Sequence, residues 1–126
     1  MYIYLAVGIG GVIGALLRYF ILIWFINLGY SYPAGTLCVN LIGCFILGYL
    51  QGIAKVYELP GWLVTGVGTG IIGAFTTFST FSIDVIQFIK EGFLIPACTY
   101  ILASSIGGYY LAYTGFSLST NKRRGV

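Results

Sequence analysis
Charge is what this chain of 126 residues has least of: six basic and three acidic side chains, 7% of the total, where a soluble globular domain carries about 25%. So few charges cannot keep a surface in water, and an ordinary soluble domain is excluded. Histidine is absent altogether, and with it go imidazole acid–base catalysis and most zinc sites. The three cysteines, Cys38, Cys44 and Cys98, lie within apolar runs at spacings that match neither a zinc nor a disulfide pattern. They read as small interior residues. The apolar segments hold no carboxylate pair and no nucleophile with a neighbouring base, which argues against an enzyme. The N-terminal MYIYLAVGIGGVIGALLRYF lacks the basic start of a cleaved signal peptide, so it is expected to remain as a membrane span.

What fills the chain is apolar: 59% of residues are hydrophobic, with a mean hydropathy of +0.97. They fall into blocks of the length, about 20 residues, that carries a helix across a hydrocarbon core about 30 Å thick. The expected fold class is all-α integral membrane, with four transmembrane helices over residues 3–26, 35–54, 60–89 and 93–118 and a polar basic tail at 119–126. Asn27, Gly29 and Pro33, then KVYELPG, then KEG punctuate the spans, and Pro60 suits the first turn of the third. Loops this short make neighbouring helices antiparallel within a single membrane domain. The net charge of +3 comes from the KRR of the tail, which points to a cytoplasmic or lipid-facing end and argues little for nucleic acid.

The third stretch is too long for a straight span, because roughly 28 residues at about 1.5 Å each reach about 42 Å. Tilt absorbs part of this excess. A mid-membrane break near 73–77 absorbs the rest, where Gly68, Gly70 and Gly73 precede a Ser/Thr cluster. Such a break is tolerated only where protein or a water-filled cavity satisfies the freed backbone, and its exposed carbonyls suit a cation. The 19 glycines recur as small-xxx-small faces that let helices approach closely. Four short helices make a thin bundle, so an oligomer is expected.

A few polar groups sit where lipid would penalise them. Asn40, in GTLCVNLIG, must face protein or water; it either bonds to another helix or lines a pore. Arg18 either snorkels to an interface or lines an aqueous vestibule, and Asp84 is either a helix-end carboxylate or a buried partner for hydroxyls and cations. The segment GAFTTFSTFSID alternates rings with hydroxyls along a helix face. Its hydroxyls, Thr77 among them, have the option of back-bonding to the preceding turn. Alternatively, ring edges, the positive part of the aromatic quadrupole, together with amide and hydroxyl donors would replace the water around a small anion.

Taken together, GALLRYF, GTLCVNLIG and GAFTTFSTFS in four spans resemble the Fluc (CrcB) fluoride channels over essentially the whole chain. The resemblance implies a fluoride-selective channel that passively releases fluoride from the cytoplasm across the cell membrane and so limits its toxicity. It further implies an antiparallel dual-topology dimer, a homodimer in the simplest case, with two fluoride pathways and a structural sodium ion at its centre. Carried over by position, Phe78 and Phe81 are the pathway rings, Asn40 the pore amide, and Tyr100 and Ser104 the pore-lining residues of the fourth span. Thr36 and Thr77 add hydroxyls and Arg18 the vestibule charge, while sodium is held by the carbonyls of Gly73 and Thr76. Two positions depart from the pattern: Gly108 stands where some members carry a further serine, and Asp84 where some carry Glu.

Lys55, Lys122, Arg123 and Arg124 fall on one side of the membrane and Lys90 on the other, a bias that favours cytoplasmic termini. On that ground, pairing with an oppositely inserted homologue stands beside the homodimer. A proton-coupled multidrug-type exporter also has four spans, but it needs an intramembrane acid in the first, and no acid precedes Glu58. A non-transporting assembly subunit leaves the polar track without a purpose.

Overall fold
The computed structural model describes residues 2–30 and 33–121, so Lys122, Arg123 and Arg124 lie outside the described residues. Four stretches are long and apolar enough to cross a membrane: Tyr2–Asn27, Ala34–Tyr57, Gly61–Lys90 and Leu94–Asn121. The first two and the last are continuous helices, α1 (Tyr2–Asn27), α2 (Ala34–Tyr57) and α6 (Leu94–Asn121). The third is divided into α3 (Gly61–Thr65), a π-helical stretch at Gly66–Ile72, α4 (Gly73–Phe75) and α5 (Phe78–Lys90). Short turns join the third span to its neighbours, and Gly29 (φ 79°) and Gly92 (φ 81°) supply the left-handed backbone that ends α1 and α5.

The π-helical stretch is a feature the spacing of apolar residues does not announce. Its sequence GVGTGII has three glycines, and α1 lies against it with almost no side chain between the two backbones. A Cβ on Gly10 would stand 2.6 Å from the Gly66 carbonyl oxygen, one on Gly70 2.9 Å from that of Val7, and one on Gly14 would overlap that of Ile71. Wide turns of this kind occur as local bulges where packing holds them.

A second close seam joins α2 to α6. A Cβ on Gly48 would overlap the Ala112 carbonyl, and one on Gly115 that of Phe45. Ser119 fills the space left by Gly52, is buried, and donates its hydroxyl to the Phe116 carbonyl at 2.8 Å. Thr120 bonds to the same carbonyl at 3.0 Å. The expected polar tail therefore begins later than 119, since residues 119–121 are the last turn of α6 and their hydroxyls are satisfied inside the helix.

The outer faces are apolar. Tyr2, Tyr4, Ile9, Val12, Phe20 and Trp24 of α1 are all exposed, as are Tyr109, Tyr110 and Tyr113 of α6. With every helical backbone bond made internally, such faces suit lipid or another subunit.

Replacing Gly48 by Leu is expected to lower stability by about 1–3 kcal/mol, the usual range for overpacking. The readout is the temperature at which detergent-solubilised protein loses its monodisperse elution peak. Gly8→Ala, at a position with nothing within 4 Å of the added carbon, is the control and leaves that temperature unchanged.

Candidate functional site
The break lies at Thr76 and Thr77, whose backbones are extended (φ −78°, ψ 158° and φ −146°, ψ 121°). Of the 30 residues of Gly61–Lys90, these two fall at the middle. Gly43 explains how the break comes so close to α2: the space that its Cβ would occupy is taken by the Thr76 side-chain methyl.

From that position, one turn along α2, Asn40 bonds to both polar groups of the Thr77 backbone. Its Oδ1 accepts from the Thr77 N–H at 2.8 Å and its Nδ2 donates to the Thr77 carbonyl at 3.0 Å. The amide acts as a two-point substitute for helix. Thr77 then caps α5 with its own side chain, Oγ1 accepting from the Thr80 N–H at 3.2 Å and donating to Thr80 Oγ1 at 3.0 Å, with Ser79 Oγ at 3.2 Å.

These substitutions free two carbonyls. In an unbroken helix Thr77 N–H would bond to Gly73 and Thr80 N–H to Thr76; here both donors are taken by side chains, Asn40 Oδ1 and Thr77 Oγ1. Thr76 Oγ1 lies 3.5 Å from the Gly73 oxygen, and Arg18 Nη1 lies 3.4 Å from the Thr76 oxygen. Arg18 thus reaches the centre of the chain instead of snorkelling to its end. Oxygens at the C-terminal end of one half-helix and N–H groups at the N-terminal end of the next meet here, an arrangement able to attract ions of either sign.

The hydroxyls of GAFTTFSTFSID divide between the two expectations. Thr76 and Ser82 bond back to the Ile72 and Phe78 carbonyls at 3.0 and 2.9 Å. Thr77, Ser79 and Thr80 instead cluster at the start of α5. Phe78 is 80% exposed, and together with Phe81 it lines a groove of about 360 Å³ whose other walls include Asn40, Thr76, Thr77 and Ser104. The two ring centroids are 5.8 Å apart at 33°, and Phe81 continues to Tyr100 at 5.1 Å and 43°.

Beyond Tyr100 lies Asp84, which the sequence left open and the structure buries completely. Tyr100 donates its hydroxyl to Asp84 Oδ2 at 3.0 Å. The buried Thr36 hydroxyl lies beside the same carboxyl group, yet Oδ1 has no hydrogen-bond partner among the described residues. Ser104 Oγ is likewise buried and unpartnered among them. Asp84 is joined through Tyr100 to the ring of Phe81 on the groove wall, and its signal in the sequence was its spacing of one turn from Thr80, on the face that carries the hydroxyls.

Residues 5–116 match the family described as CrcB-like protein, Camphor Resistance (CrcB). The chain belongs to the CrcB family. It is 43% identical over 118 residues to fluoride-specific ion channel FluC 1 of Bacillus cereus, covering 92% of this chain and 82% of that protein. Fluoride-specific ion channel FluC 2 of Listeria monocytogenes is 44% identical over 117 residues, covering 92% and 89%. Similarity to CrcB proteins thus extends through the break, the groove and the buried Asp84–Tyr100 pair.

Asn40→Leu is expected to leave the Thr77 N–H and carbonyl unpaired at membrane depth, at a cost of about 1–3 kcal/mol for each group. Hydrogen–deuterium exchange in detergent would detect it as lost protection of the Thr77 amide, while amides in the middle of α6 keep theirs.

Proposed function
We propose that the chain is a fluoride-selective channel that conducts passively and lets fluoride leave the cytoplasm across the plasma membrane. The observation that carries this reading is the groove, where aromatic rings, an amide and hydroxyls gather on one side of an apolar bundle and, among the described residues, no charged side chain stands on its walls. Ring edges and neutral donors favour an anion by a modest amount each, enough to replace hydration without trapping the ion. The names of the relatives, fluoride-specific ion channels, point the same way.

The working unit in this reading is an antiparallel pair of subunits inserted in opposite directions, a homodimer in the simplest case. Phe78 supports it, since a ring 80% exposed on a groove wall needs a facing surface to become part of a closed path. Two grooves give two pathways, each with Phe78, Phe81, Asn40, Thr77, Tyr100, Ser104, Thr36 and Asp84 along or beside it. Arg18 contributes positive potential at the break.

The residues at the break also fit a hard monovalent cation. Among the described residues no cluster of His, Cys, Asp and Glu competes for a metal, and the carbonyls of Gly73 and Thr76 have both been released from their helical donors. Backbone oxygens are the donors such a cation prefers. Sodium held between the Gly73 and Thr76 carbonyls of two subunits would neutralise the facing helix ends and fasten the pair.

The test is flux from proteoliposomes loaded with fluoride or chloride, read with ion-selective electrodes. Rapid fluoride release without chloride release is expected. Phe78→Ile and Phe81→Ile are expected to slow it by about tenfold or more, equivalent to about 1.4 kcal/mol of barrier. Unchanged flux in both variants would remove the ring-edge mechanism.

A further inference from the structure
Two lines of residues with equal pitch run along α2 and α6. Thr36, Asn40 and Cys44 recur every fourth residue on α2, and Tyr100, Ser104 and Gly108 do so on α6, so each line keeps to one helix face. At the first level, Thr36 and Tyr100 both approach the Asp84 carboxyl group. At the second, Asn40 and Ser104 both line the groove. At the third, Gly108 lies against Cys44, a Cβ there standing 3.2 Å from the sulfur.

The third level is where the two lines stop being alike. Gly108 brings no side chain, and the heteroatom facing it is the Cys44 sulfur; Cys44 is also on the wall of the groove that Phe78 and Phe81 line. One level away, Ser104 Oγ is buried with no partner among the described residues. The groove between the lines therefore has hydrogen-bonding capacity that none of the described residues uses, and the unused capacity and the thiol lie on adjacent turns.

We infer that Cys44 is a pathway residue, its S–H serving as the last weak donor to fluoride at the level where Gly108 contributes nothing. The inference rests on the channel reading above. A thiol is a poor donor beside a hydroxyl, which suits an end station: it eases the exchange between protein donors and water without holding the ion. Gly108 is what gives the sulfur its place, because any larger residue there would press on it.

Fluoride efflux from proteoliposomes of native protein, Cys44→Ala and Cys44→Ser provides the test, with membrane voltage clamped by a potassium ionophore. Cys44→Ala is expected to slow efflux about fivefold, the effect of losing one weak hydrogen bond, and Cys44→Ser to match native protein or exceed it. Native-like efflux from Cys44→Ala, or equal slowing by both substitutions, overturns the inference and leaves the channel reading standing. If native protein passes no fluoride, the channel reading falls and this inference with it. Should Cys44→Ala fail to fold, a Cys38→Ala/Cys98→Ala background treated with an anionic methanethiosulfonate decides: block supports the inference, and undiminished efflux overturns it.

Discussion
A peptide group at membrane depth must be hydrogen-bonded, and the architecture of this chain follows from how it meets that demand at one place. The third span is interrupted at Thr76 and Thr77, where the freed backbone must be satisfied by protein or by a water-filled cavity. Asn40 meets the need with a single side chain that accepts from Thr77 N–H and donates to its carbonyl. Everything near the break follows from that pairing. Gly43 must lack a side chain for α2 to come close enough, and Thr77 must carry a hydroxyl to cap the helix that restarts.

The same economy determines which groups remain for chemistry. The carbonyls of Gly73 and Thr76 lose their helical donors, and Thr76 Oγ1 and Arg18 Nη1 approach them instead; within GAFTTFSTFSID, Thr77, Ser79 and Thr80 gather at the start of α5. Burial of the Asp84–Tyr100 pair continues the polar line between helices whose outward faces are apolar. Polar groups are sparse here, and those at the break, on the groove and around Asp84 lie close to one another.

How much of this was legible in the sequence depended on whether the signal was local. The four spans and the interruption were readable because length is a local quantity and a stretch of about thirty apolar residues overruns the bilayer. The π-helical turns at Gly66–Ile72 were not, because GVGTGII is compatible with an ordinary helix and the wide turns go with the backbone of α1 lying against it. The role of Thr76 and the different role of Thr77 were also hidden: adjacent threonines look equivalent until the break is seen to fall between the end of one half-helix and the cap of the next. Ser119 and Thr120 misled in the other direction, since hydroxyl residues near a basic terminus resemble a tail, and only the fit of Ser119 against Gly52 shows that the helix continues. The partner of Asn40 lies 37 positions away, and no single sequence announces a pairing over that separation.

The position of the interruption along its span carries a last consequence. Thr76 and Thr77 lie half-way along Gly61–Lys90, so the opposed helix ends, and the partial charges they carry, are about as many residues from one end of the span as from the other.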